Sequence, residues 1–382
     1  MFVLFSDKYL FAHNLIQATN FFMLEMFCSS SKLLKTFTGH NRCVYSIDCS
    51  TFDGCSLLCS GSDDKTVRVW DIETNEQIQL FNGHEGYVYC VKFSQYHHYN
   101  NHRIVICSSS FDKTIRFWDI KHNKQLQMLM EQRGHVYSIE FSSFNGGRYM
   151  CSGSQGTIIR LWDIETFESL HTFNGHLWIV QCVDFSPLQS NSSNKNDNNK
   201  SNSAGIIGGN GYTLCSGSWD NTIRIWDIDT TKQLNIFKGH KSPVYSVKYG
   251  SNELGISGGS NTILSGSSDK SVRLWDIRSG KQIQVFDKHK STVWTVEYSP
   301  FIVNNMELGC SSSVICSGSK DNTIRFWDIR SNKSELHLIN GYDENIGIFC
   351  LKFLQNKKSN SYRNQGINLC YSSSKGTIHI WG

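Results

Sequence analysis

The chain of 382 residues has no strong excess of charge of either sign, since its formal net charge at pH 7 is +4. A balance this small argues against nucleic acid or an anionic membrane surface as the main partner. Proline is scarce, with three residues, whereas there are 30 glycines and aromatic residues make up 13% of the chain. This composition favours all-β structure with many tight turns.

The 14 cysteines include no Cys-x-x-Cys pair, the spacing typical of zinc and redox sites. Six of them recur eleven residues before a tryptophan, at Cys59, Cys107, Cys151, Cys215, Cys316 and Cys370. A position that recurs with a repeat is a packing position, where a free cysteine behaves as a small apolar residue. We therefore predict a reduced, intracellular protein without disulfides, in the cytoplasm or the nucleus.

The first 31 residues are apolar and aromatic but form no uninterrupted hydrophobic run. They lack the basic start and the small-residue cleavage site of a secretory signal. Asp7, Lys8 and Glu25 interrupt them, so they fall short of the roughly 20 mostly apolar residues that span a bilayer. We predict no membrane span and interpret residues 1–31 as a leader that is flexible or partly docked; a partner-binding helix is the alternative.

One hairpin pattern recurs along the rest of the chain. The stretch Leu57–Asp71, LLCSGSDDKTVRVWD, contains two short β-prone runs around a polar turn that ends on Trp-Asp. Variants of it stand at Ile106–Asp119, Met150–Asp163, Leu214–Asp227, Leu264–Asp276, Ile315–Asp328 and, in degenerate form, Leu369–Gly382. Together with a Gly-His mark and an alternating run such as Val88–Phe93, each unit predicts four short strands, which we call a, b, c and d.

The seventh unit ends at Trp381-Gly382 without a strand d, and Lys32–Phe37 matches the missing strand. This organisation resembles the WD-repeat (WD40-type) β-propeller family over Lys32 to Gly382. The resemblance implies an all-β fold, a seven-bladed β-propeller of four-stranded antiparallel blades, in a single domain over residues 32–382. Strand 32–37 would complete the C-terminal blade and close the ring. The loop between strands a and b takes nearly all the variation in length, with long versions at Gln95–Arg103 and Pro300–Ser313; its Asn- and Ser-rich version, 188–211, is predicted to be disordered.

The resemblance also implies a buried structural tetrad in five blades, in which Trp bonds Ser, Ser bonds His and His bonds Asp. The five sets are His40, Ser60, Asp64, Trp70; His84, Ser108, Asp112, Trp118; His176, Ser216, Asp220, Trp226; His240, Ser265, Asp269, Trp275; and His289, Ser317, Asp321, Trp327. The same residue types could form a nucleophilic triad, but an enzyme needs one site and not five. We predict that the protein is not an enzyme and has no catalytic residue, cofactor or metal.

Two units depart from the tetrad pattern. In the third, alignment of the strands puts Gln132 at the His position in place of the nearby His135, and Gly156 replaces the Asp. In the seventh, Tyr342, Tyr371 and Lys375 stand where His, Ser and Asp would be. We predict that these two blades are the least rigid.

In the family, partners often bind the face formed by the linkers between strands d and a together with the b–c turns, here called the tight-turn face. Carried over to this chain, the partner-binding face comprises Tyr45, Tyr87, Tyr89, Phe111, Tyr137, Trp219, Tyr245, Trp294, Lys320 and Phe349. Aromatic side chains facing water are typical of interaction hot spots. The alternative is that the tyrosines pack on their neighbours and only line the channel mouth.

The sequence therefore predicts a non-catalytic scaffold that binds protein or peptide partners, itself monomeric within a larger complex. The alternative function is a substrate receptor of a cullin-RING ubiquitin ligase, because Trp275–Arg278 and Trp327–Arg330 resemble the Trp-Asp-x-Arg box that docks the ligase adaptor, with Arg278 and Arg330 as the contacts. His97, His98 and His102 could bind a metal, but they are expected in a polar, flexible loop without fixed geometry.

Overall fold

A computed structural model describes residues 23–131, 133–187, 212–250, 261–305, 310–329, 335–342, 347–355 and 367–382. Alternation of side chains explains the individual strands. In Thr66–Asp71, Val67 and Val69 lie on one face and Trp70 on the other, and all three are buried. A strand whose two faces are both apolar must be covered on both sides, as it is between two neighbouring sheets.

The described residues form seven four-stranded antiparallel sheets, so the predicted β-propeller is confirmed. Blades 1 to 3 consist of β2 (Val44–Phe52), β3 (Cys55–Ser62), β4 (Thr66–Asp71), β5 (Gln77–Asn82); β6 (Val88–Phe93), β7 (Val105–Ser110), β8 (Thr114–Asp119), β9 (Lys124–Met130); and β10 (Val136–Phe141), β11 (Tyr149–Ser154), β12 (Ile158–Asp163), β13 (Ser169–Asn174).

Blades 4 to 7 follow the same order, except that the seventh takes its outer strand from the N-terminal part of the chain. They consist of β14 (Val180–Phe185), β15 (Thr213–Ser218), β16 (Thr222–Asp227), β17 (Gln233–Lys238); β18 (Val244–Tyr249), β19 (Thr262–Ser267), β20 (Val272–Asp276), β21 (Lys281–Phe286); β22 (Val293–Asn305), β23 (Cys310–Ser319), β24 (Thr323–Asp328), β25 (Glu335–Asn340); and β26 (Ile348–Gln355), β27 (Ile367–Ser373), β28 (Ile378–Trp381), β1 (Leu33–Phe37).

The innermost strand a of each blade contacts strand a of both neighbouring blades. Strand β2 of blade 1 contacts β6 of blade 2 and β26 of blade 7. In the outer part of blade 7, β1 pairs antiparallel with β28, with Phe37 opposite Ile378. The cores lie between adjacent sheets; one of them joins Phe37, Trp70 and Ile378 across blades 7 and 1.

Within the leader, helix α1 (Met23–Ser30) packs on blade 6. Its Leu24 and Phe27 are buried, and the ring of Phe27 lies 5.0 Å from that of Phe301. In blade 6 the sequence suggests a loop at 300–313, but β22 and β23 continue as a long hairpin that carries Phe301. Residues 1–22 and the loop 188–211 lie outside the described residues.

A second difference concerns the a–b connection of blade 2, which the sequence predicts as a flexible loop. It forms a short helix, α2 (Gln95–Asn101), because His97 is buried and bonds Ser94 Oγ at 2.8 Å. Burial lowers the pKa of His97 to about 4, with a further contribution from Arg103. Neither helix in the described part of the chain has the length and apolar character needed to cross a membrane.

Candidate functional site on the tight-turn face

The structure brings the four tetrad residues of blade 1 together at the end of the b–c hairpin. Trp70 Nε1 donates to Ser60 Oγ at 3.0 Å, and His40 lies 2.8 Å from Ser60 through Nε2 and 2.8 Å from Asp64 through Nδ1. A neutral imidazole that accepts from Ser60 and donates to Asp64 satisfies every polar atom of this chain of bonds. Blades 2, 4, 5 and 6 repeat the three bonds at 2.7 to 2.9 Å.

The electrostatics of the tetrads match this assignment. Burial lowers the pKa of His40 although the Asp64 carboxylate acts in the opposite direction. Burial alone would raise the pKa of Asp64, but hydrogen bonds from His40 and Thr66 hold it well below its usual range. Ser60 is fully buried and is already engaged by Trp70 and His40, so its hydroxyl is inaccessible to a substrate. The geometry is that of a packing element.

A glycine precedes the tetrad His and packs closely on the Trp ring in blades 1, 2, 4 and 5, whereas Lys288 takes this place in blade 6. A Cβ atom on Gly39 would lie 2.8 Å from Trp70 Cη2, and one on Gly239 would lie 2.9 Å from Trp275 Cη2. Contacts this short essentially never occur for real Cβ atoms, so in these four blades a larger residue would require the linker or the Trp ring to shift. The Gly-His mark therefore belongs to the frame of the blade.

Blades 3 and 7 lack the complete tetrad. In blade 3, Trp162 Nε1 donates to Ser152 at 2.9 Å, and Arg160 forms an ion pair with the buried Glu131 at 2.7 Å. Gln132, predicted at the His position, lies outside the described residues. In blade 7, Tyr371 is buried in the Ser position and its Oη accepts from the Tyr342 backbone N–H at 3.0 Å.

The predicted aromatic residues of the a strands surround one end of the central channel. Tyr45, Tyr89, Tyr137, Tyr245, Trp294 and Phe349 line a cavity of about 360 Å³, and Gln181 takes the corresponding place in blade 4. The rings of Trp294 and Phe349 stack at 3.7 Å, and those of Tyr89 and Tyr137 at 4.6 Å. Burial raises the pKa of Tyr45 and of Tyr89. These rings are thus half-buried by one another.

Deeper in the channel, each a strand contributes one charged residue. The set is Asp48, Lys92, Glu140, Asp184, Lys248, Glu297 and Lys352. An odd-numbered ring cannot alternate in sign throughout, and here Glu140 and Asp184 are neighbours. Lys248 bridges them, at 3.6 Å from Glu140 and 3.3 Å from Asp184. Burial and the nearby Glu140 raise the pKa of Asp184. The ring links neighbouring blades by ion pairs.

Two predicted contact residues lie at the tips of b–c turns. Phe111 is 40% exposed and stacks on His135, with 3.5 Å between ring centroids. Trp219 is only partly exposed, because its Nε1 donates to Gln181 Oε1 at 3.0 Å and its ring lies against Tyr245. Tyr87 packs on Phe111, and Lys320 is exposed on the turn of blade 6. Phe111 is therefore more available to a partner than Trp219.

Two strongly exposed apolar side chains of this face are not among the predicted contact residues. Leu177 is 76% exposed and Trp178 is 60% exposed, in the linker directly after the tetrad His176. The family positions that predict partner contacts begin at Ile179 in this linker, so they include neither Leu177 nor Trp178. A signal was present, because the same two places hold Asn41-Arg42, Glu85-Gly86, Lys241-Ser242 and Lys290-Ser291 in other blades. A Leu-Trp pair in such a place departs from the polar pattern.

The predicted ligase-adaptor contact Arg278 lies on the face opposite the tight-turn face. Arg278 is exposed in the c–d turn of blade 5, where its backbone N–H donates to Asp276 at 2.8 Å. Arg330 lies outside the described residues. Among the described residues, no group of three or more His, Cys, Asp or Glu side chains is arranged to hold a metal ion.

The family model "WD domain, G-beta repeat" (WD40) matches residues 31–71, 75–119, 125–163, 167–227, 231–276 and 280–328. The chain therefore belongs to the WD-repeat family. Because each match ends on Trp-Asp or its equivalent, it combines strand d of one blade with strands a to c of the next. The degenerate last repeat, after residue 328, is not matched.

The chain is also similar to individual WD-repeat proteins. It is 25% identical over 257 residues to cell division control protein 4 of Saccharomyces cerevisiae, covering 56% of this chain and 26% of that protein. It is 29% identical over 209 residues to nuclear distribution protein PAC1 of Coccidioides posadasii, covering 51% and 32% respectively. The chain thus spans a third or less of the length of these relatives.

Proposed function

We propose that the protein is a non-catalytic scaffold that binds protein or peptide partners on its tight-turn face. The observation that carries this proposal is the exposure of Leu177 and Trp178 on the face that also contains the aromatic channel mouth. Exposed apolar side chains that cluster with aromatic residues are characteristic of interaction sites. Membership of the WD-repeat family supports the same function.

Neighbouring residues of the blade 4 linker have different roles. His176 is buried and bonds Ser216 and Asp220, whereas Leu177 and Trp178 project from the next two positions. The fixed histidine limits the motion of the linker, so the two apolar side chains lose little conformational freedom when they bind. A scaffold of this kind acts by holding a partner in place. We infer a reducing, intracellular setting, in which its free cysteines persist.

The experiment that tests this function is affinity recovery of partners with a surface variant. Leu177→Ser with Trp178→Ala should remove most recovered partners while the melting temperature stays within a few degrees, because both side chains are exposed. The matched control is Leu234→Ser with Ile283→Ala, which removes two apolar side chains, 57% and 51% exposed, from outer strands. Partner recovery that is equal in the wild type and both variants would exclude the tight-turn face near blade 4.

A ligase substrate receptor is the second candidate function. It is favoured by the position of Arg278, which is exposed on the opposite face, so that a substrate and an adaptor could be bound together. The change Arg278→Ala with Arg330→Ala should remove the adaptor from the recovered complex and leave the other partners. If the wild type recovers no adaptor, or both forms recover it equally, this function is excluded.

A further inference from the structure

The charged side chains of the tight-turn face are almost all of one sign. Among the described residues of the b–c turns and of the d–a linkers, ten exposed side chains are basic, whereas only Glu85 and Asp287 are exposed and acidic. The ten are Arg42, Lys65, Lys113, Arg133, Lys241, Lys270, Lys288, Lys290, Lys320 and Lys375. The tight-turn face is therefore basic although the net charge of the whole chain is small.

Most of the acidic groups near these cations are already engaged; the exceptions are the exposed Glu85 and Asp287. The tetrad aspartates, such as Asp64 and Asp269, accept hydrogen bonds from their histidines and from backbone N–H groups. Asp63 lies 3.5 Å from Arg42. Asp343 and Glu344 of the last linker lie outside the described residues. The lysines thus present charge to solvent that the described part of the face does not neutralise.

Five of the cations follow, around the ring, the blade that carries Leu177 and Trp178. Lys241, Lys270, Lys290, Lys320 and Lys375 belong to the three consecutive blades 5, 6 and 7. Blade 4 contributes no exposed charged residue in its described linker and turn, and it carries Leu177 and Trp178. A ligand that complements this face has one apolar group beside several negative charges.

A nucleic acid also carries negative charge, but the channel mouth suits it less well. Single-stranded nucleic acids bind by stacking bases on free aromatic faces. Here the rings of Trp294 and Phe349, and those of Tyr89 and Tyr137, already stack on each other. The exposed aromatic residue Trp178 is followed around the ring by lysines, an arrangement that fits an extended peptide.

We propose that the tight-turn face binds an acidic peptide segment, with carboxylates over the lysines of blades 5 to 7 and an apolar side chain on Leu177 and Trp178. This inference rests on the proposed function and specifies the chemistry of its partner. Each exposed lysine–carboxylate contact is weak and screened by salt, so the affinity comes from their sum together with the apolar contact.

The test uses fluorescence anisotropy with three labelled probes: two leucines followed by six glutamates, the same peptide with glutamines, and an oligothymidylate of ten nucleotides. At about 50 mM salt the glutamate peptide should bind at least about tenfold more tightly than the glutamine peptide. At about 300 mM salt the difference should fall to about threefold or less, because screening weakens exposed pairs.

Two triple variants with the same change in net charge distinguish binding on the tight-turn face from nonspecific attraction to a basic protein. Lys241→Gln with Lys290→Gln and Lys320→Gln should weaken binding of the glutamate peptide about tenfold. The control Lys121→Gln with Lys124→Gln and Lys232→Gln removes three exposed lysines in or directly after the c–d connections, at the opposite end of the strands. It should change the affinity by less than about twofold.

The outcomes also separate this inference from the proposed function. If the lysine variant binds the glutamate peptide normally, or the oligothymidylate binds more tightly than that peptide, the acidic-peptide inference is wrong. The proposed function would still stand if Leu177→Ser with Trp178→Ala continued to remove the recovered partners. If that variant also left recovery unchanged, both would fail.

Discussion

Blades 5 and 7 have different residues at the tetrad positions. In blade 5, His240 joins Ser265 to Asp269, and Trp275 donates to Ser265. In blade 7 the buried Tyr371 ring takes the place of the serine, and the Tyr342 side chain is 62% exposed where the histidine would be. Trp381 Nε1 is buried without a hydrogen-bond partner among the described residues.

The comparison shows which requirement of the fold is strict. Both blades bury a large side chain between strands b and c, but only blade 5 also satisfies the indole N–H. An unsatisfied buried donor costs about 1–3 kcal/mol. The fold therefore tolerates loss of the polar network when an aromatic ring fills the space. Because the network recurs in five blades, it contributes stability and carries no information about the partner.

The largest expected effect comes from removing the histidine of blade 5. His240→Ala leaves Asp269 and Ser265 without their buried partner, and we expect a loss of about 3–5 kcal/mol in the free energy of unfolding. The aligned change in blade 7, Tyr342→Ala, removes an exposed ring and should cost less than about 1 kcal/mol. Urea denaturation of the two variants measures both; equal losses would contradict the difference drawn between the blades.

A smaller effect is expected when blade 7 is given the family residue. Tyr371→Ser restores a possible acceptor for Trp381 but removes a buried ring that contacts His379 at 5.0 Å between centroids. Because the cavity outweighs one hydrogen bond, we expect destabilisation by about 2–3 kcal/mol. The melting temperature measures it. A stabilised variant would show that the missing tetrad, rather than the packing, limits this blade.

The smallest effect is a dependence on pH. Burial lowers the pKa of His240 in the folded state despite the Asp269 carboxylate, and the same holds for His40, His84 and His176. The unfolded chain, with histidine pKa values near about 6.5, then binds more protons as the pH falls. The stabilisation is therefore present above that pH and is lost progressively below it.

Urea midpoints at pH 7.5 and pH 5.5 test this dependence. The wild type should be less stable at the lower pH, and His240→Ala should lose less on acidification than the wild type, because one titrating group is gone. Tyr342→Ala serves as the control and should keep the wild-type dependence. A wild type that becomes more stable at pH 5.5 would contradict the assignment of neutral histidines.

Much of the fold was predictable because it repeats. The spacing of Ser60, Asp64 and Trp70 recurs, so a single blade predicts the others. The conformations of the connections between strands a and b were not predictable in the same way. Helix α2 forms because His97 is buried near Phe117, and the long hairpin of blade 6 carries Phe301 against Phe27. Both depend on contacts between segments that are far apart in the sequence.

The candidate site was predicted only in part for a related reason. Positions taken from the family located the channel-mouth aromatics and Phe111, but an alternating pattern does not show how far a side chain is covered by its neighbours. Trp219 lies partly covered by Gln181 and Tyr245. Leu177 and Trp178 were missed because the prediction considered fixed positions and not the unusual residue types in one linker.

The central claim is that repeated residues hold the frame and that residues which differ between blades bind partners. Trp178 and His176 allow the most direct test, since they are two residues apart in one linker. Partner recovery with Trp178→Ala should fall sharply while its melting temperature stays within a few degrees of wild type, whereas His176→Ala should lower the melting temperature. Undiminished recovery by folded Trp178→Ala would contradict the account.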